Sequence, residues 1–336
     1  MDTAELARSL AEGNRRSLSR AITLVESARA DHRAAATALM QALPKDRQAV
    51  RIGLSGTPGV GKSTFIEAFG MMLVEQGLRV AVLAVDPSSA RSGGSILGDK
   101  TRMDRLARAP QAFIRPSPSQ THLGGVARRS REAVALCEAA GFDVVLIETV
   151  GVGQSETVVA EMSDVFLLLL APAGGDELQG VKRGIMEIAD MIVVNKADGD
   201  LKAAATRTCA DYAGALRLLR KRPQDPDGYP KAVMASALHD IGLTAVWEDI
   251  SKLIEWRRAT GIWDETRARQ GRYWFGQEVR NALLSQLETP QARDALAHYA
   301  NEVAEGRLVP SVAAGSFLRG LSASDVENPE NGDALG

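Results

Sequence analysis

The sequence predicts an α/β protein: a doubly wound, mainly parallel sheet with helices before it and a helical extension after it. Two observations carry this. From about residue 50, short apolar runs alternate with longer helical stretches, the runs being 50–54, 80–85, 113–115, 144–147, 165–170, 191–194 and 232–235. Most are continuously apolar and rich in β-branched residues, as strands buried on both faces are. Their alternation with helices is the pattern of βαβ units. Such sheets bind ligands outside the carboxyl ends of their strands, and the polar motifs of this chain fall at those ends.

The elements follow in order. Residues 2–43 read as helices, with Leu6, Leu10, Leu18, Ile22 and Val25 at helical intervals. Asp31 is positioned to cap a further helix through Ala36 and Leu39, and Pro44 breaks the pattern. After residue 240 the chain reads as helices, with candidates 243–258, 263–288 and 291–305 separated by Gly261 and Pro290. The polar stretch from Ser322 reads as a disordered tail. The expected division is a helical segment 1–45, an α/β domain 46–260, a helical arm 261–321 and a tail 322–336.

Composition narrows the function. In 336 residues, 40 Lys and Arg face 42 Asp and Glu, for a net charge of -2. That balance argues against a bulk electrostatic grip on nucleic acid or on an anionic membrane. Hydrophobic residues are 45% and aromatics only 4%, so the core is expected to be mostly Val, Leu, Ile, Ala and Met. Cys137 and Cys209 lie far apart and build neither a disulfide framework nor a thiolate metal cluster; they suit a reducing cytoplasm. The longest apolar run, 165–172, is too short to span a bilayer. No secretory signal is visible at the acidic start, and a cytoplasmic protein is expected.

Gly56, Thr57, Pro58, Gly59, Val60, Gly61, Lys62 and Ser63 match G-x-x-x-x-G-K-[ST], followed by Thr64. The motif follows an apolar run and opens a helical stretch, as a phosphate-binding loop requires. Its glycines let backbone N–H groups turn toward phosphate oxygens, and the helix N-terminus favours an anion. Lys62 is expected on the β- and γ-phosphates and the Ser63 hydroxyl on Mg²⁺. Thr57 stands where deviant-Walker ATPases carry a second lysine.

Three carboxylates are candidates to complete the magnesium shell. Asp86 ends the run 80–85, Asp99 lies in a glycine-rich charged stretch, and Glu148 ends the run 144–147. Glu148 and Gly151 have the spacing of the D-x-x-G switch, with Glu in place of Asp. The plain alternative for each is a solvated strand-end acid.

Asn195, Lys196 and Asp198 form N-K-x-D after another apolar run. The Asp carboxylate can accept two hydrogen bonds from guanine N1–H and its exocyclic amine; adenine has no such donor pair. Asn195 is expected to brace the phosphate loop and the Lys196 stem to cover the base. Ser236, Ala237 and Leu238 match the S-A-x element, whose backbone amide meets guanine O6. The sequence therefore predicts a GTP site.

These ordered motifs, with 83–89, 93–103 and Glu148 through Glu156, resemble the metallochaperone-type GTPases, whose third motif carries Glu. More narrowly they resemble the methylmalonyl-CoA mutase-associated GTPases of MeaB type, relatives of the human cobalamin-A protein. The stretch 174–182 is similar to that family's extra mobile loop, switch III. The likeness covers roughly residues 15–260. It implies a chaperone that uses GTP binding and hydrolysis to gate adenosylcobalamin loading, and to protect or rescue an acyl-CoA mutase, with methylmalonyl-CoA mutase first among them. It implies a homodimer through the C-terminal helices, and it too places Asp86, Asp99 and Glu148 around Mg²⁺. Some family members carry the label of kinases linked to amino-acid transport; no second substrate site supports that label here.

No Gln or His directly follows Gly151 to position the attacking water, and Gln154 lies three residues on. No arginine finger can be assigned, although Arg91, Arg102 and Lys182 lie in candidate mobile loops. Hydrolysis is expected to be slow and to accelerate with a partner that orders those loops. A metal-delivery GTPase is the alternative within the broad family, but His32, His122, His239 and His298 are scattered and no Cys-x-Cys exists.

Overall fold

A computed structural model describes residues 2–27, 29–85, 103–115, 123–149, 155–172 and 183–326. Its centre is a seven-stranded, wholly parallel sheet. The strands are β1 (Val50–Gly56), β2 (Val80–Val85), β3 (Ala112–Arg115), β4 (Val144–Thr149), β5 (Val165–Leu170), β6 (Met191–Val194) and β7 (Lys231–Met234). They lie in the order β3-β2-β4-β1-β5-β6-β7. Register is set by pairs such as Leu54 with Glu148, Gly56 with Leu169, and Val194 with Met234. The carboxyl ends of β1, β4, β5 and β6 thus lie side by side. Each is buried at nearly every position, which is why these runs are apolar throughout rather than alternating.

Three helices precede the sheet: α1 (Thr3–Ala11), α2 (Arg15–Glu26) and α3 (Ala30–Ala42). Asp2 and Asn14 cap the first two by accepting backbone N–H groups. Asp31 is not the cap expected of it. It lies inside the first turn of α3, where its carboxylate takes the Arg29 guanidinium at 2.8 Å. Between the strands run α4 (Lys62–Glu75), α5 (Asp104–Arg108), α6 (Leu123–Ala139), α7 (Ser155–Ala160), α8 (Arg183–Ile188) and α9 (Lys202–Leu218). The N-terminal helices are tied on by Arg33 to Glu132 of α6 and by Arg115 of β3 to Glu26 of α2. After β7 come α10 (Leu243–Ala259), α11 (Ile262–Gln286), α12 (Pro290–Ala304) and α13 (Pro310–Val326), the last running beyond residue 322.

The core is mostly aliphatic, as the composition requires, with an aromatic cluster under the phosphate-loop helix. Phe65 and Phe69 of α4 are fully buried and stacked at 5.3 Å, and Trp247 of α10 meets Phe69 edge-on. This packing holds α4, and with it the loop that opens it, against the sheet. The chain forms two compact units, 1–271 and 272–336. In the second, Thr289 caps α12 with Pro290 at its first position, and Tyr299 meets Phe317 edge-on.

Candidate functional site

The phosphate loop is shaped by two glycines. At Gly56 a Cβ would lie 2.4 Å from the Leu169 carbonyl oxygen of the neighbouring strand. Gly61 has φ +88° and a Cβ there would lie 2.9 Å from Asn195 Nδ2, so a side chain is excluded by both conformation and space. The loop then feeds directly into α4 at Lys62, with Ser63 and Thr64 in its first turn. Thr57 is half-buried, Pro58 and Gly59 are exposed, and Val60 is buried and anchors the loop. A helix N-terminus behind inward-turned amides is a cradle for an oxyanion.

Lys62 reaches back across the loop and donates from Nζ to the Gly56 carbonyl at 2.7 Å. Burial lowers its pKa, and the nearby charges of Glu148 and Glu156 offset this only in part. A desolvated ammonium of this kind gains from an added anion. Glu148, at the end of β4, is buried and registers between Leu54 of β1 and Ala84 of β2. Beside it Thr149 donates to Ser55 Oγ at 3.1 Å, tying β4 to β1.

The motif after β6 closes onto the same loop. Asn195 is buried; its Nδ2 donates to Val60 O at 3.0 Å, and its Oδ1 accepts from Ala237 N at 3.0 Å. One side chain thereby joins the phosphate loop to the segment after β7. Lys196, at φ +59°, donates from Nζ to Gly59 O at 2.7 Å. The Asp198 carboxylate accepts from Ser236 Oγ, and His239 Nε2 lies 3.9 Å from its other oxygen. Ser236 and Ile241 exchange both backbone hydrogen bonds, which closes this segment into a tight turn. Leu238 is exposed on it.

The structure thus gathers Gly56 through Thr64, Glu148, Asn195, Lys196, Asp198, Ser236 and Ala237 along the carboxyl edge of the sheet. Asp86, Asp99 and Gly151 lie outside the described residues, as do Gln154, Arg91, Arg102, Lys182 and the 174–182 stretch. Two neighbours were not anticipated from sequence. Glu156 is buried in the first turn of α7, where a lone acid reads only as a helix-dipole partner. His239 directly follows S-A-L, a position with no pattern of its own.

Comparison with known proteins agrees with this arrangement. The profile of the family described as methylmalonyl-CoA mutase-associated GTPase MeaB matches residues 18–292. A protein of Caulobacter vibrioides is 54% identical over 320 residues, covering 95% of this chain and 97% of that one. The mouse protein named methylmalonic aciduria type A homolog, mitochondrial, is 47% identical over 326 residues, covering 94% of this chain and 78% of that one. A crystal structure of a protein named LAO/AO transport system kinase superposes with a TM-score of 0.74 at 38% identity, covering 95% and 97% of the two chains. By this match and by its sheet order, this chain belongs to the MeaB family of P-loop proteins and is a GTP hydrolase.

Proposed function

We propose that this GTPase serves an adenosylcobalamin-dependent acyl-CoA mutase, most directly methylmalonyl-CoA mutase, by gating cofactor loading and protecting or reactivating the enzyme. The observation that carries the reading is the family match across 18–292, in a chain whose phosphate loop and base-site turn are joined by one buried side chain, Asn195. The mouse relative's name supports the same link to methylmalonyl metabolism.

In this reading the backbone of residues 56–64 and the Lys62 ammonium hold the GTP phosphates. Asp198, oriented by Ser236, takes the guanine N1–H and amine; Lys196 and Leu238 flank the base, and the Ala237 region faces O6. Magnesium fits the residues present: Ser63 and Glu148 offer the hard oxygen donors it takes. Among the described residues no three His, Cys, Asp or Glu side chains gather into a metal site, so the remaining ligands would be Asp86, Asp99 and phosphate oxygens. When bound, the ion would supply neutralisation of negative charge on the phosphates. Glu148 and Gly151 would mark the γ-phosphate, and Lys62 would balance charge as it develops there.

No Gln or His directly follows Gly151 in the sequence, so in this reading intrinsic hydrolysis is slow and a partner that orders the surrounding loops raises it. The test is GTP turnover with and without the cognate mutase. We expect a rise of about ten-fold or more on adding the mutase; a fast rate unaffected by the mutase overturns the reading. A kinase reading, suggested by the name of the 38% identical relative, predicts transfer of labelled phosphate to an acceptor other than water, and the same assay with labelled GTP reports it.

A further inference from the structure

Two buried hydroxyls meet at the carboxyl edge of the sheet. Ser55 is 1% exposed and immediately precedes Gly56, where the phosphate loop begins; Thr149 is 0% exposed and immediately follows Glu148. Thr149 Oγ1 donates to Ser55 Oγ at 3.1 Å and lies 3.4 Å from Leu54 O. A hydroxyl moved from water into an apolar surrounding costs free energy unless it is hydrogen-bonded. The rest of β4 from Val144 to Ile147 is aliphatic and buried. Apolar side chains of similar size would fill these two positions without that cost. Packing alone gives no reason for the pair; its place in the sheet does.

That place is where the backbone ladder between the two strands stops. β1 and β4 pair from Val50 with Val144 to Leu54 with Glu148. One residue further, β1 is paired on its other side, Ser55 with Leu168 and Gly56 with Leu169 of β5. β4 instead continues with β2, where Val85 pairs with Thr149. The two strand ends therefore answer to different neighbours at the point where one enters the phosphate loop and the other has just presented Glu148. The hydroxyl pair carries the link between them one residue past the last ladder pair. Asn195 fixes the far side of the loop, through Val60 O at 3.0 Å; the hydroxyl pair fixes its start.

We propose that Ser55 and Thr149 are positioning residues for the GTP reaction: their hydroxyl pair holds Glu148 at a set place relative to the start of the phosphate loop, and so sets how strongly Mg²⁺ strengthens nucleotide binding. The inference rests on the reading of Glu148 as a metal ligand and of residues 56–64 as the phosphate cradle. Mg²⁺ demands near-ideal octahedral geometry, so its affinity depends on the separation of a carboxylate from the phosphates. Contacts that support a metal ligand without touching the metal are commonly worth about ten-fold or more in metal affinity. Nucleotide binding without the ion draws on the loop amides and Lys62 instead. Losing the pair therefore acts on the metal-dependent part of the affinity.

The test measures the affinity of the full-length protein for a fluorescent, non-hydrolysable GTP analogue, once with Mg²⁺ and once with EDTA. The variants are Ser55→Ala, the Ser55→Ala/Thr149→Val double variant, Thr149→Ser and Glu148→Gln. The double variant replaces both partners by apolar groups and leaves neither hydroxyl unpaired, so its denaturant midpoint should stay near wild type. We expect it to lose about ten-fold of the gain in affinity that Mg²⁺ gives, with the affinity in EDTA held near wild type. Thr149→Ser, which keeps the hydroxyl, should keep the gain. A double variant with the wild-type gain overturns the proposal. So does one whose affinities fall together with and without the ion, as a merely structural role would have it. Should the double variant fail to fold, Ser55→Ala decides by the same two criteria. Glu148→Gln separates the proposal from the reading beneath it. An intact gain there sinks the metal assignment and the positioning role with it; a loss there beside an intact gain in the double variant sinks the positioning role alone.

Discussion

At the scale of single residues, Asn195 does the most. It is 2% exposed, and its amide commits both ends to backbone groups from different parts of the chain. Replacing it leaves the Val60 carbonyl and the Ala237 N–H buried without those partners, at about 1–3 kcal/mol each. We expect Asn195→Ala to lower unfolding free energy by about 2–4 kcal/mol in urea titrations, and to weaken GDP binding in the same preparation; native stability in the variant would contradict the bridging role. Asp198 makes the opposite kind of contribution. Its carboxylate is oriented by Ser236 and remains 22% exposed, so it is available to a ligand. Two hydrogen bonds to a charged acceptor are worth roughly 3 kcal/mol together, and Asp198→Asn should reduce GTP preference over ATP about 100-fold. Competition of the two nucleotides against a fluorescent GDP measures this, and an unchanged preference would refute the base-site reading.

At the scale of elements, buried ion pairs fasten helices to the amino-terminal edge of the sheet. Arg257 of α10 donates from Nη2 to Asp190 at 2.6 Å and to Asp225 at 3.2 Å, from Nε to Gln224 O at 3.2 Å, and from Nη1 to Asp164 O. Burial works to lower its pKa, yet Asp190 and Asp225 outweigh burial and the net shift is upward. Asp190 also accepts the Phe166 N–H at 2.8 Å and the Arg222 guanidinium at 2.9 Å. Removing one member of such a network strands the others. Arg257→Met should cost about 3–5 kcal/mol, read as a lower denaturant midpoint, and moderate salt should not mimic the effect because these charges are shielded from solvent. Stability within about 1 kcal/mol of wild type, the value of an exposed pair, would show that the network carries no such weight.

At the scale of the whole molecule, the second unit carries an exposed apolar stripe. On α11, Phe275, Val279 and Leu283 recur every four residues and are 71%, 44% and 57% exposed, with Leu284 beside them. A stripe of this spacing on one helix face suits a helix–helix interface, and we propose it as the contact of the homodimer that the family resemblance implies. Light scattering on the intact protein should give twice the chain mass, and Phe275→Asp with Leu283→Asp should shift it toward the monomer; a monomeric wild type would remove the basis for a dimer through this helix.

What was legible in the sequence is what depends on neighbours in the chain. The phosphate loop could be read because a strand, two constrained glycines and a helix start lie within a dozen residues, and each leaves its own local mark. The parallel sheet could be read because strands covered on both faces have no polar side to interrupt them. Asp31 shows where local reading fails: an acid near a helix start suits both the cap and the first turn, and the helix begins at Ala30, which leaves Asp31 inside it. Long-range partners left no mark at all. Arg257, Arg267, Asp164 and Asp190 look in sequence like ordinary solvated charges, and only the fold shows that they are buried and which meets which. Glu156 likewise left no mark, since only the fold shows that it is buried. The sequence by itself determined the local shape of the phosphate loop and the strand ends, because such motifs act through backbone geometry over short spans. Tertiary structure alone decided how that site is fastened to the rest of the molecule, because burying and pairing a charge requires surfaces that only the packed chain supplies.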